Sequence, residues 1–440
     1  MAKAKILLLF ILLFSTQSIF AQTYISPYSR YGLGDVNSMH LIKHRAMGGT
    51  SMADMDSTSY TLSNPASYAA LKSFVLETGI SGLTYDIKSN DKTYNGYDFQ
   101  FPYLSFSLPL LPQSKKHEWG VNVALTPFSK TGYQSLYNNT LPINTVEYFN
   151  GTGGFSKFSI GSGLKLFKGF YVGANAGYLF GQQTLNHRIE FKDEPQFYRL
   201  EKSTKLLANG FVFDAGAIYK TRIGKTNTLQ LGFTSNLPGS INAREEKIAN
   251  TLRLDNDGVS DSVFTSTKEK GNINLPLGYG GGIQFSTNNA LDRDREIKKD
   301  NAFTVAFDYY QRKWSEYRIN GLADPIKDYS SFSGGFEWKP NSLQSTSYLR
   351  KIKYRFGGKI AQSIYNVNDV KPVDQSVSFG LGLPFSNRMS SAFPSYLDLT
   401  VEAGELKGVT DLNTLQRRYI IFSIGIHLSE ASWYNRNKIE

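Results

Sequence analysis

Residue types able to carry chemistry are sparse in this 440-residue chain, and where they occur they are scattered. Five histidines (His40, His44, His117, His187 and His427) share no His-Glu-x-x-His spacing, which excludes a zinc hydrolase of that type. With no cysteine, disulfide frameworks and thiolate metal sites are excluded as well. No Gly-x-Ser-x-Gly elbow is present. Gly224-Lys225-Thr226 echoes the end of a phosphate loop, but Tyr219 stands where that loop needs glycine, so the stretch reads as a hairpin turn. The candidate metal ligands are Asp255, Asp257 and Asp261, whose oxygens recur at calcium-like spacing without the closing Glu of an EF-hand. Asp/Asn/Gly clusters of this kind also make plain turns. The residues therefore point to a protein that is not an enzyme and needs no cofactor.

Four acids stand out for their setting. Asp214, Asp308, Asp398 and Glu402 each interrupt an alternating stretch on its polar face. In Phe211-Val-Phe-Asp-Ala-Gly-Ala-Ile-Tyr219 one face is Phe211, Phe213, Ala215, Ala217 and Tyr219, with Asp214 and Gly216 opposite. Phe303 to Tyr309, Val377 to Leu383, Leu397 to Ala403 and Trp119 to Leu125 repeat the pattern. A period of two means strands. An acid on an enclosed polar face needs a partner or water, so these four are expected to line a lumen or to pair with Arg or Lys, such as Arg30 or Arg45, of a segment inside it.

About fourteen such stretches follow residue 72: 73–88, 97–110, 117–132, 152–167, 169–190, 206–222, 227–247, 263–286, 302–318, 329–340, 349–367, 375–386, 395–407 and 415–428. The count is even, as in single-chain bacterial barrels, and the 30 Phe and 27 Tyr supply aromatic girdles. A sheet that crosses lipid must close on itself, because an open edge leaves backbone groups unsatisfied. The expected fold is thus all-β: a 14-stranded antiparallel transmembrane β-barrel spanning 73–428, with long outer loops at 133–151, 191–205 and 248–262. Residues 22–72 do not alternate, and their mix of Met47, Met52, Leu62 and Leu71 suits a plug in the lumen. Residues 429–440 form a periplasmic tail. Residues 1–21, with Lys3 and Lys5 ahead of the apolar run Ile6–Phe14 and with Ala21 at the cut, read as a signal peptide. The expected location is the outer membrane of a Gram-negative cell, with outer-membrane lipid as a partner. The formal charge of +11 is spread over turns and loops, which argues against a nucleic-acid patch.

The stretch Arg45-Ala-Met-Gly-Gly-Thr-Ser-Met-Ala-Asp54 followed by Asn64-Pro-Ala66 resembles the hatch signature of the FadL-type outer-membrane transporters of hydrophobic compounds. Phe307 to Tyr317, with its Trp-Ser, and the stretches Leu275–Tyr279, Tyr354–Gly358 and Ser378–Leu383 resemble the same family. The resemblance implies fourteen strands and a hatch, with Arg45, Gly48, Gly49, Asn64, Pro65 and Ala66 as hatch and ligand residues. It also implies passive transport of a hydrophobic small molecule, fatty acid-like or aromatic, past the hatch and out through a gap in the wall where the third strand kinks. Pro127, which cannot donate to a ladder, is the candidate for that gap. The tail beyond Ile420–Ile426, with Trp433, Tyr434 and Arg436, resembles members from the Bacteroidota. There such barrels also serve as subunits of secretion and outer-membrane assembly machines. This leaves a second expectation open, a non-transporting accessory barrel bound to other outer-membrane proteins. The transporter reading predicts an apolar pocket between hatch and wall.

Overall fold

A computed structural model describes residues 26–430 except 90–91, 111–117, 141–142, 194–196, 225, 253–259, 288–300, 341–346, 367–370, 386–393 and 409–415. Its strand segments in chain order are β1 (Asp35–Val36), β2 (Phe74–Ser89), β3 (Lys92–Gln100), β4 (Leu104–Pro109), β5 (Trp119–Asn139), β6 (Thr145–Phe167) and β7 (Phe170–Phe191). There follow β8 (Arg199–Ile223), β9 (Asn227–Asn236), β10 (Gly239–Leu252), β11 (Ser260–Leu275), β12 (Gly278–Thr287) and β13 (Ala302–Arg312). The last are β14 (Arg318–Ile319), β15 (Leu322–Ala323), β16 (Tyr329–Lys339), β17 (Lys353–Gln362), β18 (Val373–Pro384), β19 (Tyr396–Lys407) and β20 (Gln416–Glu430).

Successive wall strands pair antiparallel, and β2 pairs β20 from Phe74↔Glu430 to Lys88↔Gln416, which closes the sheet. Three wall strands are each broken in two by a proline, at Pro102, Pro238 and Pro276, because proline lacks the N–H that a ladder needs. Counting each broken pair once, and leaving β1, β14 and β15 outside the wall, the barrel has fourteen strands. No helix of the described residues is long and apolar enough to cross a membrane.

Alternation sets the two faces. Along β20 the residues Ile420, Phe422, Ile424, Ile426 and Leu428 point out and are exposed, whereas Tyr419, Ser423, Gly425 and His427 are buried. Four of the expected boundaries move. The strand expected to run to 318 stops at Arg312, where the chain turns through Trp314–Glu316. The outer loops expected at 133–151, 191–205 and 248–262 are largely strand, since β5, β6, β7, β8, β10 and β11 run on well past the apolar zone. β8 has 25 residues, where a membrane crossing takes about 9–11. Beyond the lipid both faces of a strand can be polar, so the alternation that marks a strand fades while the ladder continues.

Candidate functional site

Residues 26–73 lie against the inward face of the wall, and local chemistry shapes them. Pro65 opens a helical turn, Pro65–Ala70, and the Asn64 side chain caps it by accepting from the Ala66 N–H at 3.1 Å. Proline suits that position because the N–H it lacks would have no partner there. The Asn64 amide also donates to the carbonyls of Met52 (2.7 Å), Phe233 (3.1 Å) and Ala217 (3.2 Å), joining two parts of the segment to two wall strands. A short helix, Ile42–Arg45, leads into Gly48 and Gly49, whose φ values of +68° and +90° favour glycine.

The wall is cut to receive this backbone. A Cβ on Gly357 would lie 2.0 Å from the Gly48 nitrogen, one on Gly232 2.0 Å from the Met52 oxygen, and one on Gly120 1.9 Å from the Tyr68 oxygen. A Cβ on Gly173 would lie 2.4 Å from the Pro65 carbonyl carbon, and one on Gly216 2.0 Å from Asn64 Oδ1. At the closing junction Gly79 faces Gly425, and Ile42 fills the hollow: a Cβ on Gly79 would come 2.3 Å from its Cδ1.

The four acids divide into two kinds. Glu402 meets Arg45 at 3.2 Å, a bridge from segment to wall, and has Lys359 at 3.9 Å. Asp308 accepts from the backbone N–H groups of Ser51 (2.6 Å) and Met52 (2.9 Å). Asp214 instead pairs within the wall, with Lys157 at 2.8 Å and the Asn236 amide at 2.7 Å. Asp398 does likewise with Arg355 at 2.5 Å, and Glu337 completes that group at 2.6 Å. Arg30 meets none of the four; its guanidinium lies over the Phe149 ring at 4.6 Å. Sequence reasoning missed Lys157, Arg355 and the buried pair Glu77–His427 at 2.7 Å. A basic residue on the polar face of a strand is the signal that would have found the first two.

Within the segment, Asp54 accepts from Lys43 at 3.1 Å and from His44 Nε2 at 2.8 Å. Burial raises its pKa, but the charges of Lys43 and His44 outweigh that and hold the carboxyl well below its usual range. Enclosure, reinforced by nearby cations, pushes His40 down to about 3; the ring sits within reach of the hydroxyls of Ser51 (3.2 Å) and Ser63 (3.4 Å).

Above the segment is a chamber of about 350 Å³. Its lining includes Asp35, Arg45, Asp308, Arg312, Lys359, Asp374, Glu402 and Arg417. Apolar and aromatic side chains, among them Met52, Leu83, Phe128, Trp314, Ile364 and Leu406, make up the larger share of its surface, so the chamber is apolar in the main and set with charges. Arg417 meets Asp35 at 3.4 Å, and Lys359 meets Asp374 at 3.1 Å.

Pro127 sits where the wall parts. On one side β5 keeps its ladder with β6, with a bulge between Pro127 and Ser129. On the other side its ladder with β4 ends at Leu125. Among the described residues β3 pairs only with β2, and the free edge of β5 takes up β1 instead, Asp35 facing Lys130 and Val36 facing Ser129. Lys130 reaches across the parting to Asp98 at 2.6 Å. Asp255 and Asp257 lie outside the described residues, as does the side chain of Asp261, and so do the expected signal peptide and the tail from 431. Among the described residues no group of three or more His, Cys, Asp or Glu could hold a metal.

These features define a class: a fourteen-strand antiparallel barrel carrying an N-terminal segment against its inner wall. Solved structures share the fold. A Pseudomonas aeruginosa FadL homologue is 11% identical with a TM-score of 0.58, covering 90% of this chain and 99% of its own. The Ralstonia pickettii toluene transporter TbuX is 12% identical (TM-score 0.52; 88% and 97% covered). The Pseudomonas putida toluene transporter TodX is 15% identical (TM-score 0.50; 89% and 98% covered). No curated protein matches the chain. A family model described as BamG matches residues 1–440, and the chain belongs to the BamG family.

Proposed function

We propose that this protein is an outer-membrane barrel that works as an accessory subunit of a multiprotein outer-membrane assembly complex, its lumen closed by residues 26–73 as a fixed hatch. The observation that carries the reading is the lumen itself. The hatch is held by Arg45–Glu402, by Asp308 on two backbone N–H groups and by glycine-fitted contacts. Two ion pairs, Arg45 with Glu402 and Asp35 with Arg417, tie the hatch to the wall across the path a solute would take. Membership of a family named BamG supports the same reading, as does the use of such barrels in assembly machines that the resemblance implies. The wall strands that project on one side, β5 to β8 with β10 and β11, give such a subunit surface beyond the membrane.

Extraction in a mild detergent, followed by identification of co-purifying proteins, tests this. Other outer-membrane proteins are expected in fixed proportion, and solitary elution with all wash conditions exhausted refutes the subunit role. A second reading, passive transport of a hydrophobic small molecule, is favoured by one specific observation, the parting of the wall beside Pro127. It predicts uptake of toluene-like or fatty acid-like compounds into vesicles carrying the purified barrel, and no uptake above empty vesicles rejects it.

A further inference from the structure

Most charges facing the chamber are matched: Arg45 with Glu402, Lys359 with Asp374 and Glu402, Arg417 with Asp35. Asp308 is held by two backbone N–H groups. Arg312 differs. It is only 7% exposed, lines the chamber, and among the described residues has no carboxylate within salt-bridge distance. Its guanidinium lies 4.7 Å from the centre of the Trp314 ring and 5.8 Å from that of Phe128, and it also bonds to the Tyr310 side chain. Only Nε is used on the backbone, toward the Pro276 carbonyl at 3.4 Å. The neighbouring carboxylate, Asp214, is taken by Lys157 on one oxygen and Asn236 on the other. Two cations thus share one anion in that corner of the barrel.

A buried cation without an anion is costly, and the guanidinium of a residue that lines a cavity offers a fork of N–H donors that suits an oxyanion. The position adds a route. Phe128 is the bulged residue of β5 beside the parted wall, and Gln100, Pro102, Pro127 and Phe128 line the same chamber. A chamber of about 350 Å³ has room for a headgroup-sized ligand.

We propose that Arg312 is the anchor of an anion-binding site in the chamber, taking a phosphate group through its guanidinium. Two sources share this chemistry: free phosphate, and the phosphate of a lipid reaching in at the parting.

Calorimetric titration of the full-length protein in a non-ionic detergent tests both. One arm uses inorganic phosphate; the other uses mixed micelles containing phosphatidic acid, with phosphatidylcholine as control. Binding in at least one arm is expected, phosphate alone pointing to a free solute and phosphatidic acid alone to a lipid. Arg312→Gln should weaken it roughly tenfold to a hundredfold, the scale of a charge-assisted bond, Arg312→Lys should restore part of it, and Lys359→Gln should change it little. Heat-modifiable migration on a gel shows that each variant is a closed barrel. Failure of both arms, or binding that Arg312→Gln leaves unchanged in a closed barrel, overturns the proposal.

Discussion

Replacing Asn64 with Ala removes the side chain that ties the N-terminal segment to itself and to the wall. The loss has two parts. The helical turn at Pro65 loses its cap, the Ala66 N–H bond of 3.1 Å, worth about 1 kcal/mol. The fully buried Met52 carbonyl loses the donor 2.7 Å away, and an unsatisfied buried acceptor costs about 1–3 kcal/mol. The wall carbonyls of Phe233 and Ala217 already belong to the ladder, so their loss adds little. The total is about 2–4 kcal/mol, or roughly a 30- to 700-fold rise in the opening equilibrium of the segment. Hydrogen exchange of residues 50–70 in detergent measures it directly, with the amides of β17 to β20 as internal standard. Asn64→Asp should do at least as much harm, because a carboxylate would face carbonyls where the amide donates. Exchange unchanged in 50–70, or faster by the same factor in the wall, would refute the idea that Asn64 anchors the segment and nothing else.

Gly357→Val should expel the stretch around Gly48, since its Cβ would sit 2.0 Å from the Gly48 nitrogen; protease cleavage within 40–55 is the readout, with the barrel still closed on a gel. Arg355→Leu leaves Asp398 and Glu337 without their partner and should cost about 3–5 kcal/mol in urea unfolding, whereas Arg355→Met combined with Asp398→Leu and Glu337→Met should recover most of the loss. On acidification the segment should loosen in two stages. His40 stays neutral down to about 3 in the fold, while unfolded histidine takes its proton near 6.5. The unfolded state therefore binds more protons below about 6.5, and stability falls with pH by up to about 1.4 kcal/mol per unit between there and 3. The lowered carboxyl of Asp54 contributes stability above its unfolded value near 3.9, and that contribution begins to fall below it. Exchange rates of residues 40–60 between pH 7 and 3 check this; in His40→Gln the first stage should shrink, with His44, which burial also lowers, carrying the remainder.

The wall was readable because lipid imposes the alternation: Ile420, Phe422 and Ile424 must face out, so the period of two is written into the residues. Where lipid stops, so does the constraint, which is why 133–139 with 145–151, and 248–252 with 260–262, read as loops but pair as strands. The acids at 214, 308, 398 and 402 were identifiable as enclosed charges from their phase alone. Their partners were not, because Lys157, Arg355 and Arg45 come from strands and turns whose neighbourhood only closure creates. The glycines taught the same lesson. Gly357 and Gly232 read as strand glycines in sequence, and their reason is a backbone some 180 to 310 residues away along the chain, at Met52 and Gly48. The chamber's charges were hidden for that reason too: they are single residues drawn from many strands and set among apolar ones.

Ile42 carries a consequence for how the barrel is built. It occupies the hollow made by Gly79 on the first wall strand and Gly425 on the last, which are register partners across the junction that turns a sheet into a cylinder. Residue 42 precedes every wall strand in the chain, so it is already present when the final strand arrives. A slip of one residue in that final pairing would turn every side chain of β20 to the opposite face and set Ile424 or Ile426 against a side chain that only glycine accommodates. The N-terminal segment is thus a gauge for closure, admitting the last strand in one alignment and leaving the others without a fit.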